Sequence, residues 1–320
     1  MRKKTTMPLL VILLLTPIIL IALAEIVLRL AFGLGNPLLY IPDPEIGYLI
    51  APNQKTRRQG NSIQINQYSM RNKPINNHRP DETLRILLIG DSIANGGWWT
   101  DQDYTISALL EQQLTGIYPN FSAVEVLNAS ANSWGPRHEL AYLKKFGTFQ
   151  SQVIILLLNT DDFFSLAPRS LVVGNDRNYP DRKPILACQE IWQKFTPARP
   201  TPPPKKSSQE KGDIVGFNLE AMGQIKAIAR EANAQFLLAL TPLKREIIPP
   251  GSRDYEQKAR QRLQQIISNQ NIIYVDLLPI FKQQEEPENL YQDHIHLNHQ
   301  GTKLVSEILA QKLARLRIDN

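Results

Sequence analysis

A single cysteine, Cys188, among 320 residues excludes an intrachain disulfide and a cysteine-built metal cluster. With 42% hydrophobic and 21% charged residues the chain has the composition of a globular protein that buries a core, and its length accommodates one large α/β domain with additions, or two domains. The net charge of +6 is concentrated near the start, where residues 1–80 carry ten Lys/Arg against three Asp/Glu; with no basic stripe of interleaved aromatics further on, this favours a membrane surface and speaks against nucleic acid.

Arg2, Lys3 and Lys4 precede an apolar run from Met7 to Ala24, which Ile26–Phe32 continues. The run reaches the lower limit for spanning a bilayer, and its basic start predicts a cytoplasmic N-terminus with the remainder outside. Ala22-Leu23-Ala24 also fits a cleavage site. Two readings follow: a retained anchor over residues 1–32, preferred because the apolar stretch passes the cut, or a removed signal peptide and a secreted form. Both place the main domain outside the cytoplasmic membrane.

Residues 33–81, rich in Pro, Asn, Gly and Gln, read as a stalk and a small add-on. Leu38–Tyr48 reads as a loop with turns at its prolines, and Ser62–Asn66 as a half-buried strand. Arg71 is expected to cap or pair at the surface rather than to contact a ligand.

The α/β domain is expected over residues 82–320. Ile86–Ile89 is a continuous apolar run suited to a strand buried on both faces, and Gly90, Asp91 and Ser92 follow at its carboxyl end. A helix is predicted over Tyr104–Leu114, a strand over Ala123–Asn128, a small-residue loop over Asn128–Gly135, a helix over Arg137–Phe149 and a strand over Val153–Leu158. Asn159-Thr-Asp-Asp162 ends that strand. Residues 165–213 break the rhythm and read as a floppy surface insertion, disordered around Pro197–Gly212, with a short helix at Ile185–Phe195 over the site. Alternation resumes with a helix at Leu219–Ala232, a strand at Phe236–Leu240, a helix at Asp254–Ile267, a strand at Ile272–Leu277 and a last helix at Asn298–Leu316. The pattern implies a three-layer α/β sandwich around a mostly parallel sheet, with its polar residues along one sheet edge.

A serine at a strand's carboxyl end becomes a nucleophile when a histidine reaches it. Asp293-His-Ile-His296 supplies one, and the chain order Ser92, Asp293, His296 is an allowed triad order because triads are defined by geometry. Ser92 would attack, His296 would take its proton and Asp293 would orient the imidazole. The bland alternatives are a helix cap, a loop histidine and a turn residue. His294 and His299 beside His296 hint at metal binding, but supporting Cys, Asp or Glu at ligand spacing is missing, so both read as surface residues and neither metal nor cofactor is expected. Trp98, Trp99 and Trp134 fit either a carbohydrate or acyl pocket or ordinary packing.

On these blocks the chain resembles the SGNH hydrolases, also called GDSL-type esterases and lipases. Gly90-Asp-Ser92 is similar to their nucleophile block, and Asp293-His-Ile-His296 followed by Leu-Asn-His-Gln-Gly301 to their Asp-x-x-His block. The layout resembles membrane-anchored envelope members: an anchor, a stalk, an Asn66 to Arg71 element, then the core over about 82–164 and 214–317. The resemblance implies an SGNH/flavodoxin-like fold and a serine-dependent ester hydrolase or O-acyltransferase. Its substrate would be a small ester or an O-acylated glycan or lipid outside the membrane; the oligomeric state stays open. It also implies oxyanion or substrate-binding roles at Ser133, Asn159 and Asp161, where the chain departs from the family. Ser133 stands for a glycine, and Asn159-Thr-Asp-Asp162 for Gly-x-Asn-Asp. An ionised Asp161 accepts hydrogen bonds only, so either it is protonated, Asn159 donates, or the oxyanion hole is weaker. That departure sustains an alternative, a non-catalytic relative that binds glycan or serves as an envelope scaffold.

Overall fold

The computed structural model describes residues 6–195 and 210–318. The chain begins with α1 (Thr6–Phe32), whose segment Val11–Phe32 is apolar enough to cross a membrane and is not buried against the rest of the molecule. Two antiparallel hairpins follow, β1 (Tyr40–Asp43) with β2 (Gly47–Ile50), and β3 (Gln54–Arg58) with β4 (Asn61–Ile65). Leu38–Tyr48 is therefore not a loop. Pro42 sits within β1 and Pro44 in the turn, and the short strands are fixed by tertiary burial of Tyr40, Tyr48, Leu49 and Ile50.

The sheet proper is parallel throughout. Its strands β5 (Thr83–Gly90), β6 (Ala123–Ser130), β7 (Val153–Asn159), β8 (Gln235–Thr241) and β9 (Ile273–Asp276) lie in the order β6-β5-β7-β8-β9. Every residue of β5 and β7 is buried, as expected for strands covered on both faces. The two-residue period divides them between two cores. Leu87, Ile89, Ile154 and Leu156 pack against α4 (Pro136–Phe146), α6 (Ile214–Glu231) and α8 (Asp254–Gln270). Ile86, Leu88, Ile155 and Leu157 pack against α3 (Ile106–Leu114), α9 (Leu277–Lys282) and α10 (His299–Leu313). Each such buried Leu or Ile stabilises the fold by roughly 1.5–3 kcal/mol.

Helix α2 (Ser92–Asn95) follows β5 with only Asp91 between them, and α5 (Ala187–Phe195) and α7 (Lys244–Ile247) complete the described α-helices. The chain leaves β5 toward α3 on one face and β7 toward α6 on the other, so the crevice at their carboxyl ends is the topological switch point where ligands bind in such sheets. Gly90 makes the crossing there possible: a Cβ on it would lie 2.5 Å from the Leu157 carbonyl oxygen.

The expected insertion is packed in its first half. Tyr179 is buried edge-on against Tyr40 and Tyr48, at ring separations of 5.0 and 4.9 Å, and the Tyr40 N–H donates to the Pro180 carbonyl at 2.8 Å. The floppy reading fails for this half because a row of aromatics supplies it with apolar partners. The stretch Pro197–Gly212, read as disordered, lies largely outside the described residues.

Candidate active site

Asp91 caps α2, its Oδ1 accepting from the Ile93 N–H at 2.8 Å, and this presents Ser92 on the first turn over the switch point. His296 arrives from the opposite end of the chain, two residues before Asn298, which caps α10 by accepting from the N–H groups of Gln300 and Gly301. Gly301 is required at this corner, since a Cβ would lie 2.3 Å from the Leu290 carbonyl oxygen. The loop is held further by Gln292 N–H to His296 O at 2.8 Å, Lys244 N–H to His294 O at 3.0 Å and Tyr291 OH to Pro242 O at 2.6 Å.

This scaffolding brings Ser92, His296 and Asp293 into one chain of contacts. Ser92 Oγ lies 2.9 Å from His296 Nε2, and His296 Nδ1 lies 2.7 Å from Asp293 Oδ2. Asp293 Oδ1 accepts from the backbone N–H groups of His296 and Ile295 at 2.8 and 2.9 Å. Burial alone would raise the Asp293 pKa, but the hydrogen bonds from the His296 side chain and from these two N–H groups outweigh it and hold the carboxyl below its ordinary range. An ionised Asp293 fixes the imidazole with its proton on Nδ1, leaving Nε2 free to accept from the serine.

Ser92 and His296 line a cavity of about 420 Å³ together with Asn95, Trp98, Trp99, Asn132 and Ser133. Ser133 adopts φ +58°, the left-handed conformation that glycine enters easily and serine enters at a cost of about 1 kcal/mol. Its hydroxyl accepts from Tyr179 OH at 2.8 Å, which ties the packed half of the insertion to this loop. Neither Asn159 nor Asp161 lines the cavity. The Asn159 amide instead donates to Asp91 Oδ2 at 2.8 Å, while Asp161 is exposed on the turn after β7, its N–H donating to Asn159 Oδ1 at 2.7 Å.

The tryptophans divide. Trp99 packs against the His296 ring at 4.6 Å and Trp98 lines the cavity, whereas Trp134 is buried with its indole N–H on the Tyr48 carbonyl. His294 is exposed and His299 packs edge-on against Tyr104; no cluster of metal-ligating side chains occurs among the described residues. Arg71, expected at the surface, is fully buried. Its guanidinium donates to the carbonyls of Asn95 at 2.6 Å, Gly97 at 2.5 Å and Thr100, and so clamps the loop that carries both pocket tryptophans.

Behind the nucleophile lies a group of acids whose proximity only the fold discloses. Asp91, Glu139 and Asp162 are all buried, and neither carboxyl oxygen of Glu139 has a hydrogen-bond partner among the described residues. Burial first, and then the charge of Asp91, raise Glu139 well above the ordinary carboxylate range; burial, Asp91 and Glu139 do the same to Asp162. Beside them burial pushes His138 down to about 4, so this imidazole stays neutral.

A folded-state carboxyl pKa raised above its unfolded value gives stability that is present in full below the unfolded value and is lost as pH rises toward the folded one. Glu139→Gln keeps the shape of the protonated acid and removes that titration. The variant is expected to be more stable than wild type at pH 8 and little changed at pH 4. Urea midpoints in detergent at the two pH values check this, and an equal offset at both would contradict it.

A family model described as "GDSL-like Lipase/Acylhydrolase family" matches residues 88–304. Among solved structures, the chain is similar to the lipase/acylhydrolase from Enterococcus faecalis (14% identity, 74% of this chain and 98% of that one covered, TM-score 0.45). It is similar also to a catalytic mutant of an acetylxylan esterase from Geobacillus stearothermophilus (12% identity, 74% and 96% covered, TM-score 0.47). An α/β hydrolase from the metagenome of Lake Arreo, Spain, gives 14% identity, 73% and 96% coverage and a TM-score of 0.48. A search of the curated proteins finds no match. The nucleophile block, the Asp-x-x-His block and strands β6 to β9 fall within the matched span, which opens inside β5, and the chain belongs to the GDSL-like lipase/acylhydrolase family, whose members are ester hydrolases.

Proposed function

We propose that Ser92, His296 and Asp293 form the catalytic triad of an envelope-anchored enzyme acting on an O-acylated glycan or lipid outside the cytoplasmic membrane. The observation that carries the reading is the unbroken relay from Ser92 Oγ to His296 at 2.9 Å and on to Asp293 at 2.7 Å, opening into the 420 Å³ cavity. His296 Nε2 takes the proton as Ser92 Oγ bonds to the ester carbonyl carbon. The carbonyl oxygen then carries the negative charge, and the backbone N–H groups of Ser92 and Ser133 are the donors assigned to it. The alkoxide leaves with the proton returned by His296. Water attacks the acyl-enzyme by the same route and releases the acid; a hydroxyl acceptor in place of water would give O-acyl transfer.

The setting outside the membrane rests on α1 and on the basic residues before it, which favour retention of the N-terminus in the cytoplasm. A serine-reactive fluorophosphonate is expected to label the wild-type protein on Ser92 and to leave Ser92→Ala unlabelled. Labelling of the alanine variant at the wild-type level would remove Ser92 from the role.

A further inference from the structure

We infer that α5 lies in the headgroup layer of the membrane that holds α1, and that the Ser92 cavity therefore draws its ester from that leaflet: the substrate class is an acylated amphiphile. This rests on the anchored reading above and narrows its glycan-or-lipid substrate to the lipid.

The depth follows from α1 itself. Its stretch of residues 6–24 is free of charge and spans about 28 Å as a helix, close to the hydrocarbon thickness of a bilayer. Glu25 is the first charged residue beyond it, so the boundary between hydrocarbon and headgroups falls there. Helix α5 docks at that level. The Glu25 carboxylate accepts from the N–H groups of Ala187 and Cys188 at 2.6 and 3.3 Å, and Arg29 bridges Glu25 to the Ile185 carbonyl at 2.7 and 2.8 Å. The start of α5 is thus fastened to α1 about where hydrocarbon ends.

The faces of α5 are inverted for a helix in water. The side toward the protein carries Ala187 and Glu190, and Glu190 is spent on Arg58 at 2.6 Å and on the Gly35 N–H. The side away from the protein carries Cys188 and Trp192, one turn apart, and Ile185 lies in the bend two residues before the helix, with Ile185 83% and Trp192 72% exposed. An outward apolar face continuous with a membrane-spanning helix suits the interface, where tryptophan partitions well. Arg182 and Lys183 are exposed just before it, matching anionic headgroups.

The same corner opens the active site. The cavity that holds Ser92 and His296 is lined also by Leu34, Pro37 and Leu38, the first residues beyond α1, and by Arg58 and Glu190. A substrate entering from the leaflet meets this wall before it meets Ser92.

The test uses the full chain in vesicles of phosphatidylcholine and phosphatidylglycerol. A spin label on Trp192→Cys, in a Cys188→Ser background, is expected to collide more with oxygen than with a water-soluble nickel chelate. A label on Ile117→Cys, exposed beyond α3 at the amino end of the sheet and so away from the Ser92 crevice, is expected to show the aqueous pattern. An aqueous pattern at 192 as well overturns the inference, whatever the enzyme hydrolyses. In the paired assay, Ile185→Glu with Trp192→Glu is expected to slow hydrolysis of a vesicle-borne long-chain ester about tenfold and to leave soluble p-nitrophenyl acetate unchanged. Equal rates on the vesicle ester overturn it too. If wild type cleaves neither ester while the 192 label lies in the interface, the triad assignment fails and the placement of α5 stands.

Discussion

Ser92→Ala and His296→Ala are each expected to lower kcat for ester hydrolysis by about 10⁴- to 10⁶-fold, and the double variant is expected to be no slower than the worse single one. The non-additivity is the informative part. A nucleophile without its base and a base without its nucleophile fail at the same step, so the second deletion removes nothing further. Asp293→Asn is expected to cost less, on the order of 10³-fold, because an asparagine amide facing Nδ1 selects the wrong tautomer but leaves His296 in place. Its Oδ1 can still accept from the His296 and Ile295 N–H groups that shape the loop, and the Asp293 side chain is already 43% exposed, which weakens its field. Steady-state kinetics on p-nitrophenyl acetate would measure all four proteins, with thermal melts to confirm equal folding. Independent effects that multiply in the double variant would mean that Ser92 and His296 do not act as a unit.

The sheet was legible because its central strands are buried on both faces. Ile86–Ile89 and Val153–Leu158 are continuous apolar runs, and the structure extends them only to Thr83–Gly90 and Val153–Asn159. The two ends of the proposed triad were legible because each sits among residues that shape the backbone locally. Asp91 caps α2, and Gly301 admits the Leu290 carbonyl. What stayed hidden depends on partners distant in sequence. The β1–β2 hairpin is fixed by burial of aromatics against Tyr179, more than a hundred residues on, and its prolines argued locally for a loop. Glu139 shares the apolar face of α4 with Leu143 and Phe146, four and seven residues on, but a carboxylate argues for solvent by type; only the fold shows it buried within electrostatic reach of Asp91 and Asp162. Asn95 also escaped notice. It lines the cavity one turn after Ser92, and only the fold shows that its amide reaches Ser130 O at 3.2 Å.

Arg71 is the largest such miss, and it sets the second large expectation. Arg71→Met is expected to destabilise the α/β domain by about 3–5 kcal/mol, because three carbonyls in a closed part of the structure lose their donors together. Burial lowers the guanidinium pKa to about 10, with Asp101 opposing, so the group stays charged at neutral pH and its three hydrogen bonds are charge-assisted. The loop it holds begins at the end of α2, three residues from Ser92, and carries Trp99 against the His296 ring. Arg71→Lys should therefore separate position from stability: one ammonium cannot reproduce a planar fork reaching Asn95, Gly97 and Thr100. That variant is expected to fold with a smaller loss and to show a raised KM with kcat less affected, since Trp98 and Trp99 form the cavity wall, while His296, although Trp99 packs on its ring, is held also by Asp293 and by its own loop. Denaturant melts paired with kinetics on both variants would decide it. A lysine variant with wild-type stability and wild-type KM would mean that the loop holds its shape without the clamp.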